Sequence, residues 1–294
     1  MRASKAIAIL IILLWGFALL GHPQAKPPTS LQSVVVLRII DGDTIQVQLP
    51  DGTLEKVRLM GINAPELDQC LGGQDQGAAK ELSALLGQTV WLELNPQGGG
   101  FQRGRDNRLL AYVFTGPEPK IEQLINRQLV QAGLAKLEVL DANDGEFARD
   151  PNDFRVRYAD DLIQAQISAA QGRAGWWGEC DPFAASDVVI AAIKFWGDDE
   201  VVYLINRGKG PIKLDPTWQL SDKGQKHKKL FSSCQLPPNA LLRVHSGPTA
   251  KRTNSNCSQS EIDLFWTGRN VWNNNGDEAN LEHPLGTALD RFAY

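Results

Sequence analysis

The texture of the chain changes near Asp187, and that change limits its fold more than any other feature. Before it, β-branched and apolar runs alternate with stretches of helical spacing. After it, short strand-like pieces recur between turn residues, and no helical period of useful length appears. A chain of 294 residues with such a break holds about two domains.

The first part reads as α+β. Val34–Ile40 and Ile45–Leu49 are strand-like runs broken by Asp41-Gly42-Asp43. Asp51-Gly52 marks a hairpin, and Leu54–Ile62 returns as a third strand. Gln76–Leu86 has apolar residues at helical spacing and Gly87 stops it. Val90–Leu94 and Leu109–Phe114 read as strands, and Ile121–Ala132 and Tyr158–Ala170 as helices. The second part offers strands at Val188–Lys194, Val201–Asn206, Trp218–Leu220, Leu241–His245, Leu264–Trp266 and Ala279–Glu282. About 110 residues of this kind suit an all-β sandwich.

Arg2 and Lys5 precede an apolar run from Ala6 to Leu20, the pattern of a secretory signal. A spanning helix wants about 20 apolar residues, so the run is short for one. Pro23 makes a poor cleavage site at Ala25, which leaves a retained anchor open beside a cleaved peptide, and a buried core helix is the plain alternative. The expected organisation is a signal peptide or signal anchor over 1–25, a linker over 26–33, and domains over 34–181 and 182–294. Either export route puts the chain outside the cytoplasm, as a secreted, periplasmic or membrane-anchored protein.

The net charge of −4 argues against a basic coat for nucleic acid. It divides unevenly. Residues 34–181 hold 14 Lys+Arg against 22 Asp+Glu, a net of −8, and residues 182–294 hold 13 against 12, a net of +1. Arginines of the first part therefore act by position rather than by sum.

Three stretches of that part carry chemistry: Ile40-Asp41-Gly42-Asp43-Thr44, Val57-Arg58-Leu59-Met60-Gly61-Ile62-Asn63-Ala64-Pro65-Glu66, and Asp106-Asn107-Arg108-Leu109-Leu110-Ala111-Tyr112-Val113. Carboxylate oxygens suit a hard cation such as Ca²⁺. Arginine offers a planar fork for phosphate oxygens. A cation, a carboxylate base and two guanidinium groups suit attack of water on a phosphodiester. Taken singly, each stretch is better explained by a tight turn or a surface ion pair.

Together and in this order, with Leu129-Val130-Gln131-Ala132-Gly133-Leu134-Ala135 downstream, they resemble the staphylococcal nuclease family over Val34 to Cys180. The resemblance implies a five-stranded OB-fold barrel with three helices. It implies a Ca²⁺ site with Asp43, the residue at Asn63 and the backbone carbonyl of Ala64 as ligands and Asp41 holding the ion indirectly. It implies that Arg58 and Arg108 grip the phosphoryl group and that Glu66 orients or deprotonates the attacking water. The implied substrates are DNA and RNA, cut to 3′-phosphate products.

The chain departs from the family at four places. Asn63 stands where members usually carry a ligand Asp, which removes one negative charge and implies weaker calcium binding. Asp106-Asn107 replaces Tyr-Gly, though Asn tolerates the left-handed turn. The nucleotide-stacking tyrosines fall at Val139 and Asp141, and Gly98-Gly99-Gly100 lengthens the loop Gln97–Arg105.

Val201–Gly208, Trp218–Asp222, Val244-His245-Ser246-Gly247 and Val271–Ala279 resemble the lamin tail domain, an immunoglobulin-like β-sandwich. That resemblance implies tethering or binding and no catalytic residue. Trp266 and Trp272 read as core. Lys223, Lys226, His227, Lys228 and Lys229, with Lys251 and Arg252 later, read as a solvated face or as a phosphate-facing patch. Four cysteines allow three pairings, and domain autonomy favours Cys70–Cys180 and Cys234–Cys257. No C-x-x-C spacing points to zinc. The expectation is an exported, Ca²⁺-dependent, monomeric nuclease with an accessory sandwich, held at a membrane or envelope if the apolar run is retained. The alternative is a catalytically weak or inactive module that binds nucleic acid or tethers a surface.

Overall fold

The computed structural model describes residues 30–138, 152–183, 186–255, 257–273, 276–283 and 287–293. The apolar run Ala6–Leu20 and the positions Val139 and Asp141 lie outside them. Among the described residues no helix is long and apolar enough to cross a membrane.

Five strands close a barrel: β1 (Ser30–Ile39), β2 (Thr44–Gln48), β3 (Leu54–Leu59), β4 (Thr89–Leu94) and β5 (Leu109–Phe114), in the order β1-β2-β3-β5-β4. Alternation builds it. Val34, Val36, Val47 and Val57 are buried while the residues on either side of each are exposed or half-buried, and Ile45 and Leu59 join them in the core. The β1–β2 register jumps between Val36 and Arg38, so Leu37 is an extra residue and stands exposed. Strand β5 pairs parallel with β3 and is buried along its whole length. Leu109, Ala111 and Val113 join the main core, whereas Leu110, Tyr112 and Phe114 pack with Leu124, Phe154 and Tyr158.

Of the expected linker over 26–33, residues 30–33 are strand, because β4 is paired along all six of its residues and takes Ser30–Ser33 as partners. The helices are α1 (Gly77–Ser83), α2 (Ile125–Gln131) and α3 (Ala159–Gly172), with a final turn α4 (Trp176–Glu179). The helix read over Ile121–Ala132 is a 3₁₀ turn at Ile121–Gln123 followed by α2. Leu124 breaks it by taking an extended conformation, wholly buried and bridged to Phe114. The glycine-rich loop after β4 forms a small hairpin, Pro96–Gln97 against Gly100–Phe101, with Gly98 and Gly99 at positive φ.

The second part has two four-stranded sheets. One orders β6 (Val188–Lys194), β7 (Glu200–Asn206), β10 (Leu241–Ser246) and β11 (Glu261–Thr267). The other orders β9 (Lys228–Leu230), β8 (Gln219–Ser221), β12 (Glu278–His283) and β13 (Thr287–Ala293). Strands β9 and β13, and the short ladder Ile212–Leu214 with Cys234–Leu236, have no counterpart in the sequence reading. Trp272 is core, and Trp266 is half-buried with its ring edge-on to it at 6.0 Å between centroids. Both disulfides pair as domain autonomy favours, Cys70 with Cys180 and Cys234 with Cys257. Buried side chains run without a break from barrel to sandwich, and α3 lies against β6 and β7.

Candidate active site

The turn between β1 and β2 sets the first wall of the site. Ile40 and Asp41 both donate their amides to Thr44 O. A Cβ on Gly42 would stand 2.6 Å from Ala64 Cβ, so only glycine lets the turn rest on the loop after β3. Asp43 is thereby buried against that loop. Its Oδ2 accepts from the Ala64 amide at 2.9 Å, its Oδ1 from Thr44 Oγ1 at 3.1 Å, and its own amide donates to Asp41 Oδ1 at 3.0 Å.

Arg58 lies at the end of β3. Its Nη1 donates to Leu59 O at 2.9 Å and to Ile62 O at 2.7 Å. Its Nη2 faces three oxygens: Asp43 Oδ2 at 3.1 Å, Asn63 Oδ1 at 3.3 Å and Glu138 Oε2 at 3.5 Å. Gly61 at φ +79° makes the turn that brings Ile62–Asn63 back as a short strand against Lys136–Leu137.

Glu66 stands exposed on the following loop. Its amide donates to Gln69 Oε1 and its carbonyl accepts from the Gln69 amide. A Cβ on Gly72 would fall on Glu66 O, and Cys70 is bonded to Cys180, so this loop is held closely. Arg108 follows two left-handed residues, Asp106 and Asn107, each at φ +59°. Arg103 steadies that turn by gripping Glu55 at 3.0 and 2.7 Å and donating to Asn107 O. Arg108 Nη1 comes within 3.5 Å of Thr44 Oγ1.

A cavity of about 270 Å³ opens between these elements. Asp41, Asp43, Arg58, Asn63, Ala64, Glu66 and Arg108 all line it, so the three sequence stretches meet in one place. Glu138 and Arg155 line it too, and the sequence reading missed both. Glu138 arrives through the pairing of Lys136 with Asn63, which no local pattern announces. Arg155 is set by Asp153, whose carboxylate takes both Nε and Nη2.

Burial pushes the Asp43 carboxyl up to about 6. The Arg58 charge and the Ala64 amide pull the other way, and Asp41 adds to the rise. A desolvated carboxylate of this kind is under-compensated by the protein alone. Asp41, Asn63 and Glu66 line the cavity with it and bring hard side-chain oxygens, a chemistry that fits a cation such as Ca²⁺ completed by water, while the Arg58 guanidinium already rests on Asp43 Oδ2. Among the described residues no three His, Cys, Asp or Glu side chains gather to hold a metal, so the cation would depend on few protein charges.

A family model for staphylococcal nuclease homologues matches residues 56–179, and one for the lamin tail domain matches residues 181–294. A thermonuclease of Staphylococcus intermedius is 33% identical over 145 residues, which is 47% of this chain and 80% of that protein. A thermonuclease of Staphylococcus hyicus is 32% identical over 151 residues, 50% of this chain and 76% of that protein. An uncharacterized endonuclease of Escherichia coli is 30% identical over 147 residues, 50% of this chain and 78% of that protein.

Proposed function

The chain belongs to the staphylococcal nuclease family, with a lamin tail domain after it, and on that premise we propose that it is an exported, calcium-dependent endonuclease. It hydrolyses phosphodiester bonds of DNA and RNA to products ending in 3′-phosphate. The observation that supports this most is the convergence of Arg58, Glu66, Arg108 and Asp43 on one open cavity.

The residues divide the work by chemistry. Arg58 and Arg108 clamp the phosphoryl oxygens and offset the charge that builds in the five-coordinate transition state. Glu66, exposed at the rim, orients a water and takes its proton. The water oxygen bonds to phosphorus as the bond to the 5′ oxygen breaks, and that oxygen takes a proton from solvent. Asp43, Asn63 Oδ1 and the Ala64 carbonyl would hold Ca²⁺ directly and Asp41 indirectly. When bound, the ion supplies Lewis-acid charge at the phosphoryl group. The carbonyls of Leu59 and Ile62 fix the Arg58 guanidinium before substrate arrives, so little orientation is lost on binding.

Two disulfides suit an oxidising compartment, in keeping with export through the N-terminal run. The sandwich serves binding or tethering, and its basic face contacts nucleic-acid phosphates. The deciding experiment is an end-group assay on purified protein. Chelator-sensitive release of 3′-phosphate ends from plasmid DNA supports the reading, and absence of cleavage at millimolar calcium overturns it. One observation favours the second reading, a weak or inactive binding module. Asn63 brings no charge to the cation, and Arg58 Nη2 is already shared among three oxygens. Binding of DNA without release of ends supports that module instead.

A further inference from the structure

We propose that Gln166 is a positioning residue that ties the floor of the active site to a β-bulge of the sandwich, which makes the second domain part of the catalytic scaffold. The inference rests on the nuclease reading and deepens it. Residues 136–138 zip onto 61–63: Leu137 pairs with Ile62, Lys136 with Asn63, and the Glu138 amide donates to Gly61 O at 3.0 Å. The segment held in this way supplies Ile62 O to Arg58 Nη1 and Asn63 Oδ1 to Arg58 Nη2. Whatever fixes Leu137 therefore fixes the clamp.

Gln166 fixes it. This α3 side chain is wholly buried and both ends of its amide are used. Its Oε1 accepts from the Leu137 amide at 2.6 Å, and its Nε2 donates to Ala191 O at 2.6 Å. Ala191 is the extra residue of a bulge in β6, where the pairing jumps from Ile190–Leu204 to Ala192–Tyr203. Asp290 Oδ2 caps the preceding amide, that of Ile190. A bulge re-aims backbone groups, and here the re-aimed carbonyl meets α3 of the barrel. A buried amide with two backbone partners is costly to leave unsatisfied, so the link is directional and stiff.

A second tie runs in parallel. Arg207, at the end of β7, is buried among the residues that follow α3. It donates to Trp177 O, Phe183 O and Ser186 O and lies 3.3 Å from Asp181 Oδ2. Trp177 and Asp181 flank Cys180, whose partner Cys70 sits in the loop that carries Glu66. A sandwich on a loose tether has no use for such buried polar contacts.

The test uses the full chain with Gln166→Met, which keeps volume and loses both hydrogen bonds, and Asp290→Ala, which releases the bulge from the sandwich side. In both, hydrogen exchange of residues 61–64 and 136–138 is expected to speed at least about tenfold, while α1 and β2 keep wild-type protection. In both, kcat is expected to fall roughly tenfold with KM within about twofold, because a misplaced clamp acts on the transition state. Wild-type exchange at 61–64 and 136–138 in Gln166→Met, or in folded Asp290→Ala, overturns the inference. Wild-type kcat in Gln166→Met overturns it as well. If Asp290→Ala does not fold, Gln166→Met alone decides. If the wild-type protein cleaves nothing, the nuclease reading fails by itself, and the exchange arm still tests the link.

Discussion

The Arg58 guanidinium lies against the Asp43 carboxylate, Nη2 to Oδ2 at 3.1 Å. The pair lines the cavity with side chains only 16% and 10% exposed, so solvent screens it weakly. The same nitrogen lies 3.3 Å from Asn63 Oδ1, which makes position 63 the place where one charge changes the balance of the site.

Replacing Asn63 by Asp is therefore expected to strengthen calcium binding. The side chain is exposed and accepts a hydrogen bond from Arg58, so the fold bears the change. A further carboxylate among hard oxygen donors raises affinity, by roughly tenfold on the scale set by ligand charge. Calorimetric titration with Ca²⁺ and plasmid cleavage against calcium concentration should both shift to lower midpoints in Asn63→Asp. No shift in either sinks the idea of a charge-poor site.

Glu66→Ala and Arg108→Ala should each lower cleavage about 100-fold or more, the usual scale for a lost base or a lost transition-state donor. Glu66 is exposed and Arg108 half-buried, so unfolding free energies should stay within about 0.5 kcal/mol of wild type. Single-turnover cleavage with a matched denaturation curve checks both points. Full activity in either variant removes that residue from the site.

The barrel strands were legible because their signal is local. The β-branched and apolar runs Val34–Ile40, Ile45–Leu49 and Leu54–Ile62, with turns at Asp41-Gly42-Asp43 and Asp51-Gly52, reappear as β1 to β3, except that β1 starts earlier at Ser30 and β3 ends at Leu59, where the turn at Gly61 sends Ile62 into another sheet. The candidate site was legible because its residues fall in short runs at strand ends. What escaped depends on distant partners. Glu138 reaches the cavity only through the Lys136–Asn63 pairing, 73 positions apart in the chain. Strand β13 carries a buried Asp290 and an Arg291 where an apolar run would have flagged it, and Asp290 is there to cap Ile190. The break at Leu124 serves its contact with Phe114, which helical spacing does not encode.

Asp290 gives a pH dependence with a definite sign. Burial pushes its carboxyl up to about 7 from 3.8, with Asp181 adding to the rise and the Ile190 amide opposing it. Between those values the folded chain holds a proton that the unfolded chain has released, so stability falls as pH rises through that window. Asp290→Asn removes the titration and keeps an acceptor for Ile190. Relative to wild type the variant should gain stability from pH 4 to pH 8, on the order of 1–3 kcal/mol. Urea unfolding at several pH values measures the difference, and a pH-independent difference discards the assignment.

The disulfides should differ in weight. Cys70–Cys180 spans 110 positions and Cys234–Cys257 spans 23. Chain entropy alone assigns the longer link about 4–5 kcal/mol and the shorter about 3 kcal/mol. Cys70→Ser should also slow cleavage, because it frees the loop that carries Glu66, whereas Cys234→Ser should leave kcat near wild type. Equal losses of stability, or wild-type kcat in folded Cys70→Ser, contradict this.

The basic face of the sandwich converges on Phe265. Lys229 Nζ donates to Phe265 O at 3.0 Å, and the Arg252 guanidinium lies 5.4 Å from the Phe265 ring centroid. Lys223, Lys226 and Lys228 stand exposed beside them on the β8–β9 hairpin. Lys251 does not share in this, since its ammonium bonds to Asp263. The barrel part carries a net of −8, so a long nucleic acid gains more from this face than from the barrel surface. Each phosphate neutralised releases condensed counterions, which makes the salt slope a count of contacts. Lys223→Ala, Lys226→Ala and Arg252→Ala combined should weaken DNA binding and flatten the slope of log K against log salt by about two to three. Fluorescence anisotropy in the presence of chelator, where cleavage is silent, measures both. An unchanged slope returns these lysines to a solvated surface with no part in binding.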